Sequence, residues 1–246
     1  MMKLPKIQGV IRRRLLVNFR ARPEVVADFL PDPFEPKLHD GWSILGICLI
    51  RLEGIRAVGL PEFLGIASEN AAHRIAVTWN GGKDDGVFIP RRDTDSMLNH
   101  LAGGRLFPGE HHRARFDVVD DGEQVSLRVR AANPSMHLSV KGRKVDHMPD
   151  TSVFFSLRQS SDFFKGGAVG YSVTRDCCRF DGIRLETAGW EVSPFEVEEV
   201  GSSFFSDTEL FPANSILYDH ALIMRDLPHR WIQESDIISE QPGKND

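Results

Sequence analysis

The groups best suited to move protons stand together at Glu110-His111-His112, just after the turn Phe107-Pro108-Gly109. Imidazole titrates near neutral pH, so a carboxylate–imidazole pair can take up or deliver a proton under ordinary conditions. Side chains alternate along a strand, so Glu110 and His112 share one face and His111 takes the other. His100, on the preceding helical segment, can approach them. Glu69, in Ala67-Ser68-Glu69-Asn70, can act as general acid or base if it points into a pocket, and is a plain strand-end charge if it points into water. Arg12 offers a planar, two-pronged donor for a carboxylate. Its competing reading is a solvated strand edge, as part of the run Arg12-Arg13-Arg14. Asn99 and Arg105 are further anchors for a polar ligand. Arg91-Arg92 reads as a solvated strand end, and His220 and His229 as structural or exposed.

Other chemistries find less support. No Gly-x-Ser-x-Gly elbow supplies a serine nucleophile. No P-loop and no strand-led Gly-x-Gly-x-x-Gly points to a nucleotide, so no cofactor is expected. Glu69, His100 and His111 or His112 could supply three metal ligands, but without any metal-motif spacing, and no metal is expected. Cys48, Cys177 and Cys178 form no disulfide framework, which suits a reducing compartment; the vicinal pair reads as the two faces of a strand. The net charge of −5 weighs against a nucleic-acid partner. The N-terminus carries no hydrophobic leader, and the longest apolar stretch, 42–52, is interrupted by Gly46 and Arg51 and is too short for a membrane span. The expectation is a cytoplasmic protein with no membrane and no nucleic-acid partner.

These side chains need elements to hold them. Strands are expected at 8–19, 42–56, 74–79, 87–89, 112–119 and 124–130, then near 136–141, 151–157, 168–175, 178–186, 190–205 and 215–225. Asn80-Gly81-Gly82 and Asp120-Asp121-Gly122 signal hairpins. A short helix is expected at 23–30, with Pro23 at its start and Pro31 at its stop. A second follows Asp93 as cap and ends at Gly103-Gly104, and a helical turn at 159–164 is closed by Gly166-Gly167. Flexible ends are expected at about 1–8 and 234–246. With many strands and no long alternating helices, the fold class is all-β, in one domain spanning 1–246.

Two segments resemble the acetoacetate decarboxylase-like superfamily, and within it the DUF2071 (YqjF-like) branch. One is Asn18-Phe19-Arg20-Ala21-Arg22-Pro23-Glu24-Val25-Val26-Ala27-Asp28-Phe29-Leu30-Pro31 with the strand after it. The other runs from Gly65 to Phe116 and carries Glu69, Gly86 to Pro90, an Asp-led helix and an aromatic-Pro turn. Tyr171 and Trp190-Glu191-Val192-Ser193-Pro194-Phe195 match more loosely. The resemblance implies a closed, cone-shaped β-barrel whose interior is the ligand pocket, and a tendency to form homo-oligomers. It places Arg12 at the family's arginine and Glu69 at its glutamate. The family's decarboxylase forms a Schiff base on one lysine of a pair; Gly109 and Glu110 stand there instead, and the nearest lysine in sequence is Lys83. An imine needs a neutral amine, so Schiff-base decarboxylation at this position is not expected.

The resulting expectation is a small carboxylic or keto acid in the barrel. Glu69, Glu110 and His112 would move protons, while Arg12, Asn99, Arg105, His100 and His111 hold the ligand. The alternatives are a non-catalytic binder, a lyase using a different lysine, and a structural protein with a packed interior.

Overall fold

A computed structural model describes residues 6–102, 109–132, 135–175 and 178–239, with backbone alone at 99, 101 and 102. The first half holds β1 (Ile7–Ala21), helix α1 (Pro23–Phe29), β2 (Glu35–Pro36), β3 (Leu38–His39), β4 (Trp42–Ala57), β5 (Ile66–Trp79), β6 (Asp84–Thr94) and α2 (Met97–Ala102). The second half holds β7 (His112–Asp120), β8 (Gln124–Ala132), β9 (Ser135–Lys144), α3 (Leu157–Gly166), β10 (Val169–Val173), β11 (Arg179–Thr187), β12 (Ser193–Ser202), β13 (Leu217–Gln233) and β14 (Ile237–Ile238).

The strands close a nine-strand barrel in the order β6-β7-β8-β9-β12-β13-β1-β4-β5 and back to β6. A second, smaller circuit shares part of it. β6 also pairs with β10, β10 with β11, and β11 with β13. The strands β13-β1-β4-β5-β6 are therefore a wall common to both circuits, covered on both faces.

Alternation along β1 decides what each face buries. Leu15, Val17 and Phe19 point into the nine-strand barrel and join Leu127, Val129, Met136 and Phe195 in a closed apolar core. Full burial of each such side chain is worth about 1.5–3 kcal/mol. Leu16 points the other way. With Cys48, Leu222 and Met224 it packs against Phe164 of α3. A β-bulge between Ile11 and Arg13 resets the alternation there.

Several local expectations need correction. No strand forms at 151–157; that stretch leads into α3, capped by Ser156, whose Oγ accepts from the Gln159 amide at 3.2 Å. Asp93 is no helix cap: it lies in β6 and binds Arg91. The Arg91-Arg92 pair is not a solvated end, since Arg91 is buried. The strand 74–79 begins earlier, at Ile66, so Glu69 is within β5. Cys178 sits in the turn before β11, and Cys177 lies outside the described residues. β1 starts at Ile7 and β14 pairs with β11; residues 1–5 and 240–246 of the ends expected to be flexible lie outside the described residues. Gly103 and Gly104 lie outside the described residues. Among these residues no helix is long and apolar enough to cross a membrane.

Candidate functional site

The resemblance implies a pocket inside the barrel; the nine-strand interior carries an apolar cluster that includes Leu15, Leu127, Val129 and Phe195. The cavity, about 390 Å³, lies on the other face of the shared wall, within the smaller circuit. The wall contributes Arg14 from β1, Cys48 from β4, Asn70 and Arg74 from β5, and Arg92 from β6. α3 brings Phe164 and Lys165 to its rim, β11 brings Ile183 and Leu185, and Trp190 and Trp231 line it too.

The three arginines set its electrostatics. Arg14 Nε lies 3.4 Å from Cys48 Sγ, and its guanidinium faces the Trp190 ring at 5.6 Å. Arg74 Nη2 donates to Asn18 Oδ1 at 2.6 Å and stacks on Phe164 at 4.7 Å. Arg92 Nε donates to Ser172 Oγ at 2.9 Å. None of the three has a carboxylate partner among the described residues. Arg14 Nη1 and Arg74 Nε are buried with no acceptor. Burial pushes both Arg74 and Arg92 down to about 10, still fully charged at neutral pH. The lining acid Asp93 is already bound by Arg91 through three contacts of 2.9–3.2 Å.

His111 is the imidazole of this cavity. Its Nδ1 lies 3.2 Å from the Gly109 carbonyl, so an Nδ1–H tautomer donates there and leaves the lone pair on Nε2. Burial, reinforced by Arg92, pushes its pKa down to about 3, so the ring is neutral at pH 7.

The remaining expected site residues fall elsewhere. Arg12 lies at the bulge, half-exposed, and pairs with Glu53 at 2.8 Å and Asp226 at 3.0 Å. Two residues on, Arg14 takes the cavity position. Glu69 faces the nine-strand interior and pairs with Arg13 at 2.6 Å; Asp120, reaching across from β7, holds the other prong of Arg13 at 3.1 Å. Burial raises the Glu69 pKa while Arg13 opposes the rise. His112 sits beside Arg91 and Asp93, and burial lowers its pKa. Glu110 points to Arg175 at 3.9 Å and His100 Nδ1 meets the His111 carbonyl at 2.6 Å; neither lines the cavity. The Asn99 side chain and Arg105 lie outside the described residues. Gly109 has φ +80°, and a Cβ there would stand 2.3 Å from Ser172 Cβ, so the position admits no side chain.

Arg14, Cys48, Arg74 and Arg92 were not anticipated as a site. A signal existed: Arg14 and Arg74 interrupt apolar strand runs on the same face as small residues, and a buried arginine needs an anion. His220 also proves central. Its Nδ1 meets Asp219 Oδ2 at 2.6 Å and its Nε2 meets Ser160 Oγ at 2.7 Å. The connectivity matches a serine-hydrolase relay, yet Ser160 and His220 are fully buried and absent from the cavity lining. The relay fastens α3 to β13 and so fixes Phe164 beside Arg74.

A family model for DUF2071, described as an uncharacterized conserved protein, matches residues 10–221. The chain belongs to the DUF2071 family. No curated protein matches it. Among solved structures, acetoacetate decarboxylase from Legionella pneumophila subsp. pneumophila str. Philadelphia 1 is similar with TM-score 0.60 at 11% identity, over 94% of this chain and 88% of that one. An acetoacetate decarboxylase-like enzyme from Sphingomonas wittichii RW1 gives 0.57 at 12%, over 97% and 95%. The enduracididine biosynthesis enzyme MppR complexed with pyruvate gives 0.56 at 11%, over 97% and 91%. At such identities the likeness establishes the fold: this DUF2071 protein has the acetoacetate decarboxylase-like barrel.

Proposed function

We propose that this DUF2071 protein binds a small organic acid in the cavity of its smaller circuit. The observation that carries this reading is the set Arg14, Arg74 and Arg92, which line one cavity with no carboxylate among the described residues to neutralise them. Leaving charges buried and unpaired is costly, and a bound carboxylate supplies both the charge and the missing acceptors. The apolar walls at Ile183, Leu185, Trp190 and Trp231 suit the carbon skeleton of the acid.

In this reading the ligand-holding role expected of Arg12 passes to the three cavity arginines, and the proton-handling role of Glu69, Glu110 and His112 passes to His111. A neutral His111 orients the acid by hydrogen bonding. It becomes a better proton acceptor once the bound anion offsets Arg92, because that arginine is one cause of its low basicity. A similar structure holding pyruvate supports a keto acid as the first compound to try.

A second reading has one specific observation in its favour. Lys165 lines the cavity from the last turn of α3, so an imine could form there rather than at position 109 or 110. Two measurements decide. Thermal shift and calorimetry with pyruvate, acetoacetate, butyrate and succinate should show binding that Arg74→Gln weakens at least tenfold; no binding to wild type by any of them sinks the acid reading. Borohydride added with pyruvate should leave the intact mass unchanged. A reduced adduct mapped to Lys165 would establish the imine reading instead.

A further inference from the structure

We infer that the acid is a dianion, carrying two negative charges on one small molecule as two carboxylates or as one phosphate monoester. This deepens the reading above and rests on it. A single carboxylate offsets one of the three cations Arg14, Arg74 and Arg92 and a dianion offsets two; among the described residues none of the three has an acidic partner, and Asp93 is taken by Arg91.

The strand register shows why one molecule can serve all three. Leu16, Cys48, Ala72 and Arg92 form one row across β1, β4, β5 and β6. Arg14 stands two residues from Leu16 along β1, and Arg74 two residues from Ala72 along β5. Strands are about 4.8 Å apart and two residues span about 6.7 Å, so the arginines surround the short side chains of Cys48 and Ala72. Arg14 Nε meets the Cys48 sulfur at 3.4 Å, and Arg74 and Arg92 line the same cavity as Cys48. Arg14 and Arg74 also repel one another. The three cations therefore converge on one small-residue floor.

The donors point the same way. Arg14 Nη1 and Arg74 Nε are buried without acceptors, one on each side of that floor. A carboxylate offers about four lone-pair sites on two oxygens, and a single carboxylate cannot face arginines approaching from three strands with good geometry at each. Two carboxylates, or one phosphate monoester with its three terminal oxygens, can. A cavity of about 390 Å³ has room for either.

The test is calorimetry on the whole protein at low salt, with butyrate, succinate and propyl phosphate as probes of similar length. Succinate or propyl phosphate should bind at least tenfold more tightly than butyrate. Arg92→Gln and, separately, Arg74→Gln should reduce that ratio to less than threefold. The wild-type ratio stands even if a variant fails to fold. Propyl phosphate binding without succinate upholds the dianion and assigns it to a phosphorylated ligand; the converse assigns it to a dicarboxylate. Butyrate binding as tightly as both dianions overturns the inference while the organic-acid reading survives. No binding of any probe overturns both.

Discussion

The two faces of the shared wall treat buried charge in opposite ways. On the nine-strand side, Arg13 is held by Glu69 and Asp120, and Arg225 also binds Asp120. His73 on that side is uncharged and rests against Ser202 Oγ at 2.9 Å. On the opposite face Arg14, Arg74 and Arg92 stand beside an open volume with no carboxylate partner among the described residues. Paired charges beside an apolar core are structure. Charges without a carboxylate partner around a cavity are what the proposed acid site rests on.

Removing one member of a paired set should produce the largest effect. Glu69→Gln leaves Arg13 buried with only Asp120 as counter-charge, and should cost about 3 kcal/mol in urea unfolding. A loss below about 1 kcal/mol would mean that water reaches the pair and that the nine-strand side is not sealed.

Acid should separate the two faces by their histidines. His73 and His111 are both pushed to about 3 by burial. Unfolded imidazole titrates near 6.5, so below that pH the unfolded chain binds the extra protons. Stability is therefore complete above about pH 6.5 and falls by about 1.4 kcal/mol per pH unit for each histidine on the way down toward 3. An anion in the cavity raises the His111 pKa and should soften its share of the loss, leaving the share from His73 unchanged. Unfolding midpoints from pH 7.5 to 4.5, with and without succinate, in wild type and His111→Asn, check this. A succinate effect on the pH slope that persists in His111→Asn would break the assignment.

On the cavity side, Arg92→Met should change the stability of the ligand-free protein by about 1 kcal/mol or less, because it removes an uncompensated charge along with the bond to Ser172. The same change should abolish the rise in Tm caused by succinate, which for wild type at a hundredfold excess over Kd corresponds to about 2.7 kcal/mol. Arg12→Ala should alter neither the unfolding midpoint nor succinate affinity, since its pairs lie on the outer surface. Weakened binding in that variant would place the site nearer the bulge than the geometry does.

Much of the architecture was legible from residue order. The hairpin at Asn80-Gly81-Gly82 forms with all three residues at positive φ, and Asp120-Asp121-Gly122 turns between β7 and β8. Pro23 starts α1, and α3 covers the expected turn at 159–164. These features depend on a few neighbouring residues, so sequence displays them. The failures at 151–157 and Asp93 arose where a competing local contact won: Ser156 caps α3, and Arg91 claims Asp93 two residues on.

The site was legible only in part. His111 was expected to hold a ligand and does line the cavity. Arg12 and Glu69 were expected beside it, and the fold sends both elsewhere. One bulge between Ile11 and Arg13 decides which of three consecutive arginines faces the cavity, and a single-residue shift exchanges the faces of a strand. Likewise Glu69 and Asn70 are neighbours in the chain but serve opposite faces of the wall.

Local residue order determined that this chain is all-β with hairpin turns and short helices, because turns, caps and apolar alternation act over a few residues; the closed barrel was implied by the family resemblance. Tertiary structure alone decided that the barrel is doubled on a shared wall and that the cavity lies within the smaller circuit. Those outcomes depend on β6 and β13 each finding an additional strand partner from distant sequence, and pairing across such separations leaves no mark on either strand's own pattern.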